Sequence, residues 1–197
     1  FTQVLGALND NVFKNMLLML VAFDLGRYLL NTSPAQVTQI TQVANFIFVL
    51  PFFLFSAIAG QLADKYEKAR LIRGIKLGEV IIMCLAAAAF QLEGSVGLMA
   101  LMLVLFAMGT QSTFFGPIKY ALIPQAVKRD ELVSGNALVE SGTFLAILIG
   151  TIVGAELFRL DKTLSLVSVV VVAVALIGYV CSRYIPPAAS SQPAMPI

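Results

Sequence analysis

Six apolar runs, each about the 20 residues that carry an α-helix through a bilayer, take up most of this chain. The first of them holds Asn9, Asp10, Asn11, Lys14 and Asn15 inside it. A helix that carries a carboxylate, an ammonium and three amides to membrane depth bears a large desolvation cost. Such groups face a water-filled cavity, a ligand or a neighbouring helix. The chain therefore reads as an all-α, polytopic membrane protein with six transmembrane helices, the first of which lines a pathway.

Composition closes off the alternatives. Hydrophobic residues make up 59% and charged residues 12% of the 197, against about 25% charged in an ordinary soluble protein. A net charge of +2 gives no reason to expect nucleic acid as a partner. Histidine is absent, which removes His-based catalytic pairs and metal sites. No catalytic residues, enzyme activity, metal or resident cofactor are expected, apart from a coupling cation. Cys84 and Cys181 lie in apolar runs, as small packing thiols. The first run has no basic leader and no small-residue cleavage site follows it, so it reads as a span rather than a signal peptide. With no initiator Met, the segment is expected to begin a few residues inside its protein.

The spans are expected at about 4–30, 37–62, 71–92, 96–123, 136–158 and 163–184, a bundle over 1–184. Asn31-Thr32-Ser33-Pro34 ends the first, Asp64 to Arg70 is a short charged loop, and Pro124 stops the fourth. Pro51 and Gly116-Pro117 should bend their helices. Residues 185–197, rich in Pro, Ser and Ala, read as a linker. Lys65, Lys68, Arg70, Arg73, Lys128, Arg129 and Arg183 fall on one side, against Arg27, Arg159 and Lys162 on the other. The first side is expected to be cytoplasmic, with both termini and the linker there too.

On a helix of 3.6 residues per turn, Gln3, Gly6, Asp10 and Lys14 fall within about 80° of one another. This polar face occupies the basic-side half of the first span. Asp10 and Lys14 stand i, i+4 with the acid first, so they are expected to pair. Asn9 and Asn11 flank them. One reading is a self-neutralised pair with amides that hold helices together. The other is a cavity-lining cluster that binds a polar headgroup or a cation. Lys119 and Glu140 are expected to meet near the basic-side mouth, since helices joined by a short loop tend to be neighbours. Lys76 with Glu79, Asp24 with Arg27, and Glu156 with Arg159 are expected as local pairs. Gly74 with Gly78, and Gly150 with Gly154, have the spacing that lets helices approach closely.

The sequence from Gly60 to Ile72, GQLADKYEKARLI, resembles the G-x-L-A-D-R-x-G-R-K-x-x-L signature between helices two and three of the major facilitator superfamily. Gly60, Leu62, Ala63 and Asp64 match; Lys65 and Lys68 keep the charge; Glu67 stands where the family has Gly and Ala69 where it has a base. Segments 6–11, 115–120 and 136–143 are similar to the bacterial lysophospholipid transporter branch, which includes forms fused to an acyltransferase and an acyl-carrier-protein synthetase. The resemblance implies the amino-terminal six-helix half of a twelve-helix transporter in the bacterial cytoplasmic membrane, with the carboxy-terminal half as its partner and 185–197 opening the central linker. It implies a lysophospholipid substrate, above all lysophosphatidylethanolamine, moved inward by alternating access, and a fused or associated acyltransferase. Asp10, Lys14, Asn9, Asn11, Lys119 and Glu140 then become substrate or cation contacts. Gly60, Asp64, Lys65, Lys68 and Arg70 become a conformational latch. Phe46, Phe48, Phe52, Phe53 and Phe55 offer an apolar wall for an acyl tail. Two other functions stay open at this point: a drug or small-solute exporter of the same superfamily, and a non-transporting scaffold for an acyltransferase.

Overall fold

The computed structural model describes residues 1–30, 32–161 and 163–190; Asn31, Lys162 and the linker residues 191–197 lie outside it. Six long helices follow one another: α1 (Thr2–Phe23), α2 (Pro34–Lys65), α3 (Lys68–Ala89), α4 (Gly94–Ala126), α5 (Leu132–Leu160) and α6 (Ser165–Arg183). Five of them are long and apolar enough to cross a membrane. The sixth, α3, has the length but carries Lys68, Arg70, Arg73, Lys76 and Glu79. The first three bases crowd its first turns, and Lys76 is neutralised by Glu79 at 2.5 Å.

Several boundaries differ from expectation for local reasons. The first span ends at Phe23, well before Leu30, because Asp24 leaves helical geometry and a 3-10 turn over Leu25–Arg27 follows. Arg27 there reaches Glu93 at the start of α4, 3.6 Å away. Ser33 and Gln36 form a reciprocal capping box that starts α2. Pro124 does not stop α4, which runs on to Ala126. The charged 64–70 loop is almost wholly helical: α2 keeps Asp64 and Lys65 in its last turn, and only Tyr66 and Glu67 separate it from α3.

Packing is dominated by helices distant in sequence. α1 packs chiefly on α5 and α6, α2 on α4, and α3 on α6 and α4, whereas α4 with α5 and α5 with α6 touch little. Short loops therefore do not make the best neighbours here. α1 is the central helix, with Val12, Phe13, Met16, Leu17, Leu20 and Val21 sealed in the main apolar core. Glycines set the closest approaches. A methyl at Gly150 would lie 2.7 Å from the Leu8 carbonyl oxygen, and one at Gly154 2.8 Å from that of Val12, so both are needed where α5 meets α1. Gly109 does the same for α4 against Phe48 and Pro51 of α2. Gly74 and Gly78, with the same spacing, meet nothing within 4 Å and bring no helices together among the described residues. α2 and α5 leave large apolar side chains outside, Phe46, Phe53, Leu138 and Phe144 among them.

The segment after α6 is docked rather than free at its start. Glu67 caps α3 by accepting from the amides of Ala69 (2.9 Å) and Arg70 (2.8 Å), and it also accepts from Ala188 N (2.8 Å). Lys68, fully buried, donates to Ala189 O at 2.9 Å; Arg73 donates to Ile185 O at 2.9 Å and Gln125 to Ala189 O at 3.1 Å. The linker expected from residue 185 thus begins as a strap across the ends of α3 and α4. Glu67 is one of these four side chains that hold it, and the one that accepts rather than donates.

Candidate functional site

The polar face of α1 opens onto a cavity of about 460 Å³ bounded by α1, α2, α3, α4 and α5. Gln3, Gly6, Asp10 and Lys14, the four residues that helical periodicity aligns, all line it, together with Ala7 and Asn11. Phe48 and Phe52 of α2 and Phe115 of α4 supply apolar walls; Lys76, Gln111, Ser112, Lys119, Tyr120 and Thr143 add polar groups. The space is amphiphilic, with polar groups from α1, α3, α4 and α5 and an apolar wall from α2 and Phe115.

The charges are arranged differently from the expected i, i+4 pair. Asp10 makes no ion pair with Lys14 among the described residues. Its Oδ2 accepts from Ser112 Oγ of α4, while Oδ1 is buried with no hydrogen-bond partner among the described residues. Lys14 turns away, its ammonium 5.3 Å from the centre of the Phe48 ring. An acid and an amine one turn apart thus face the same cavity without neutralising each other. Each keeps bonding capacity for something that enters.

Asn11 lines the cavity with its amide turned back to Ala7 O at 2.8 Å. Asn9 does not line it. It is fully buried behind α1, donating to Val171 O of α6 (3.1 Å) and to Glu79 Oε1 of α3 (3.4 Å). There it ties three helices together. Lys119 and Glu140 meet as expected, 3.8 Å apart, and Tyr120 Oη also donates to Glu140. Lys119 lines the cavity while Glu140 stands behind it, so the pair joins α4 to α5 at the mouth. Gln3 closes the same corner by donating to Thr143 Oγ1 and, at 3.3 Å, to Val139 O of α5.

Of the latch residues, none lines the cavity. Gly60 has open space where a side chain would project, Asp64 and Lys65 are half-buried, Arg70 is exposed, and Lys68 is occupied by the strap. Asp64 makes no ion pair among the described residues. Among the local pairs, Lys76–Glu79 and Glu156–Arg159 (2.8 Å) are in place. Of the phenylalanines, Phe48 and Phe52 face the cavity, Phe46 and Phe53 point out, and Phe55 stacks on Phe114. Sequence reasoning missed Ser112 and Gln111, since an uncharged polar residue in an apolar run gives no sign of which neighbour it meets. It also missed Gly109, a lone glycine with no spaced partner on the face it shares with α2.

Comparison with known proteins gives the family of the chain. The model of the Major Facilitator Superfamily matches residues 1–195. Among curated proteins, the chain is 30% identical over 155 residues to the lysophospholipid transporter LplT of Escherichia fergusonii, covering 77% of this chain and 35% of that one. It is 28% identical over 198 aligned residues to LplT of Serratia proteamaculans, covering 98% of this chain and 43% of that one. LplT of Salmonella heidelberg is 29% identical over 155 residues, again 77% of this chain and 35% of the relative. The chain thus spans less than half the length of the relatives it matches.

Proposed function

Because this chain belongs to the major facilitator superfamily, we propose that it is the amino-terminal half of a transporter that moves a lysophospholipid across a bacterial cytoplasmic membrane by alternating access. A lysophospholipid has one acyl tail and a headgroup with an anionic phosphate; lysophosphatidylethanolamine adds an ammonium. The cavity fits that description group by group. Lys14 can meet the phosphate, Asp10 the ammonium, and Phe48, Phe52 and Phe115 the start of the tail. The observation that carries the reading is that Asp10 and Lys14 share one cavity without pairing, with Asp10 Oδ1 left unbonded. A self-neutralised structural pair would leave neither group available to the cavity.

The second half would close the open side of the bundle, where α2 and α5 expose apolar side chains. On this reading the basic side is cytoplasmic, the cavity opens toward it past Lys119, Tyr120 and Glu140, and both ends of the segment lie there. Asp64 and Lys65, at the end of α2 and without an ion pair among the described residues, remain to latch onto the far half. Asp10 is also the group that would take a coupling cation. An acyltransferase, fused or associated, would consume the lysolipid that arrives.

The test is flux. Full-length protein in proteoliposomes should move labelled lysophosphatidylethanolamine, and Asp10→Asn should abolish the flux and any cation dependence. Flux that excess unlabelled lysophospholipid fails to slow would reject the substrate, and point to a small-solute exporter. Unchanged flux and cation dependence in Asp10→Asn would reject the role of Asp10.

A further inference from the structure

Lys76 is paired with Glu79 one turn on, but that pair does not account for where its ammonium sits. It stands on α3, and its side chain is 1% exposed, yet it lines the cavity. It gets there through a gap in α1. A methyl group on Gly6 would lie 2.5 Å from Lys76 Nζ, so the ammonium occupies the space that a side chain at position 6 would fill. Gly178 of α6 flanks the same ammonium, its own methyl position 3.9 Å away.

The ion pair behind this gap is asymmetric. Glu79 is held from three helices: it accepts from Lys76 at 2.5 Å, from Gln111 at 3.2 Å and from Asn9 at 3.4 Å. Lys76 has three N–H groups. Among the described residues, Glu79 is its one hydrogen-bond acceptor, and the Phe115 ring lies 5.1 Å from Nζ. Donor capacity is therefore left over on an ammonium that lines the same cavity as Asp10 and Ser112. Stability alone gives little reason to keep such a pair, since apolar residues of similar volume often replace a buried ion pair without loss. The three-point hold on Glu79 has a consequence for its partner: it aims Lys76 at the opening instead of letting the flexible stem wander.

We propose that Lys76 is a second phosphate-binding ammonium of the cavity, admitted through the side-chain-free gap at Gly6 and shared between Glu79 and the anionic headgroup. Lys14 and Lys76 then bracket the phosphate from two helices, and Asp10 is left for the cationic end. The assignment deepens the lysophospholipid reading and rests on it.

The experiment measures equilibrium binding to the full-length protein in nanodiscs. The two probes are lysophosphatidylethanolamine and a monoacylglycerol of the same chain, which lacks the phosphate. Three proteins are compared: wild type, the double variant Lys76→Met with Glu79→Met, which removes both charges together and leaves no unpaired ion, and Gly6→Ala, which pushes the ammonium from the gap. Both variants should bind lysophosphatidylethanolamine roughly 10- to 100-fold more weakly, the range of a charge-assisted hydrogen bond, with monoacylglycerol binding unchanged. Lysophosphatidylethanolamine affinity that stays at the wild-type level, or an equal loss for both probes, overturns the role of Lys76. Wild type that does not distinguish the two probes overturns the lysophospholipid reading itself, and this assignment with it.

Discussion

Two glycine pairs with one spacing should respond to alanine in opposite ways. At Gly150 and Gly154 a methyl group would sit 2.7 and 2.8 Å from carbonyl oxygens of α1. Real methyl contacts do not come below 3.0 Å, and the obstruction is backbone, which cannot swing aside. α5 would have to back away from α1 along the most extensive helix contact in the bundle. Overpacking of this kind costs about 1–3 kcal/mol. At Gly74 and Gly78 nothing lies within 4 Å, so alanine brings no strain. Alanine is also favoured over glycine inside a helix by about 0.5–1 kcal/mol. That gain is common to all four sites, so the difference between the pairs isolates the contact: about 1–3 kcal/mol per site. Reversible SDS-induced unfolding of the full-length protein reads it directly. Gly150→Ala and Gly154→Ala should destabilise, and Gly74→Ala and Gly78→Ala should be neutral or mildly stabilising. Equal effects at both pairs would refute the packing of α1 against α5 described above.

Other perturbations follow from the same geometry. Glu67→Ala removes the cap of α3 and the bond to the strap, for a loss of about 0.5–2 kcal/mol, and should speed hydrogen exchange at the Ala188 amide. Burial works against ionisation of Glu67, but the N–H groups of Ala188, Arg70 and Ala69 and the charge of Arg73 outweigh it and hold its pKa below the usual glutamate range. Its contribution is therefore complete above the ordinary carboxylate pKa and lost as the pH falls through the lowered one. Exchange at Ala188 should accelerate only in that acid window, and Glu67→Gln should show no such acceleration. Glu140→Gln takes the charge partner from Lys119 at the mouth. With both side chains partly exposed, stability should fall by no more than about 1 kcal/mol, while lysolipid flux changes because the α4–α5 mouth is no longer held. Unaltered flux would remove the pair from the transport path.

The polar face of α1 was legible because helical period needs no tertiary information: Gln3, Gly6, Asp10 and Lys14 align by arithmetic, and all four reach the cavity. Pairs three residues apart on one helix, such as Lys76–Glu79, were legible for the same reason. What the sequence hid was competition across helices. Asp10 is claimed by Ser112 of α4 and Lys14 by Phe48 of α2, so the local pair does not form. Identical spacing concealed the opposite surroundings of Gly74–Gly78 and Gly150–Gly154. Asn9 resembles Asn11 in sequence, but the two-residue step between them amounts to about 200° of helical rotation, which turns Asn9 from cavity to core. The strap from Ile185 onward reads as linker by composition, and only the folded position of Glu67 and Lys68 gives its backbone partners.

The most direct test asks whether the cavity is wet and takes the lysolipid. With Cys84 and Cys181 replaced by alanine in the full-length protein, single cysteines at Asn11 and at Asn9 can be probed. The probe is a membrane-impermeant thiol reagent applied from the side that carries Lys65, Lys128 and Arg129. Asn11→Cys should react and be protected by lysophosphatidylethanolamine, and Asn9→Cys should stay silent. An unreactive Asn11→Cys, or labelling that no lysolipid slows, would contradict the account.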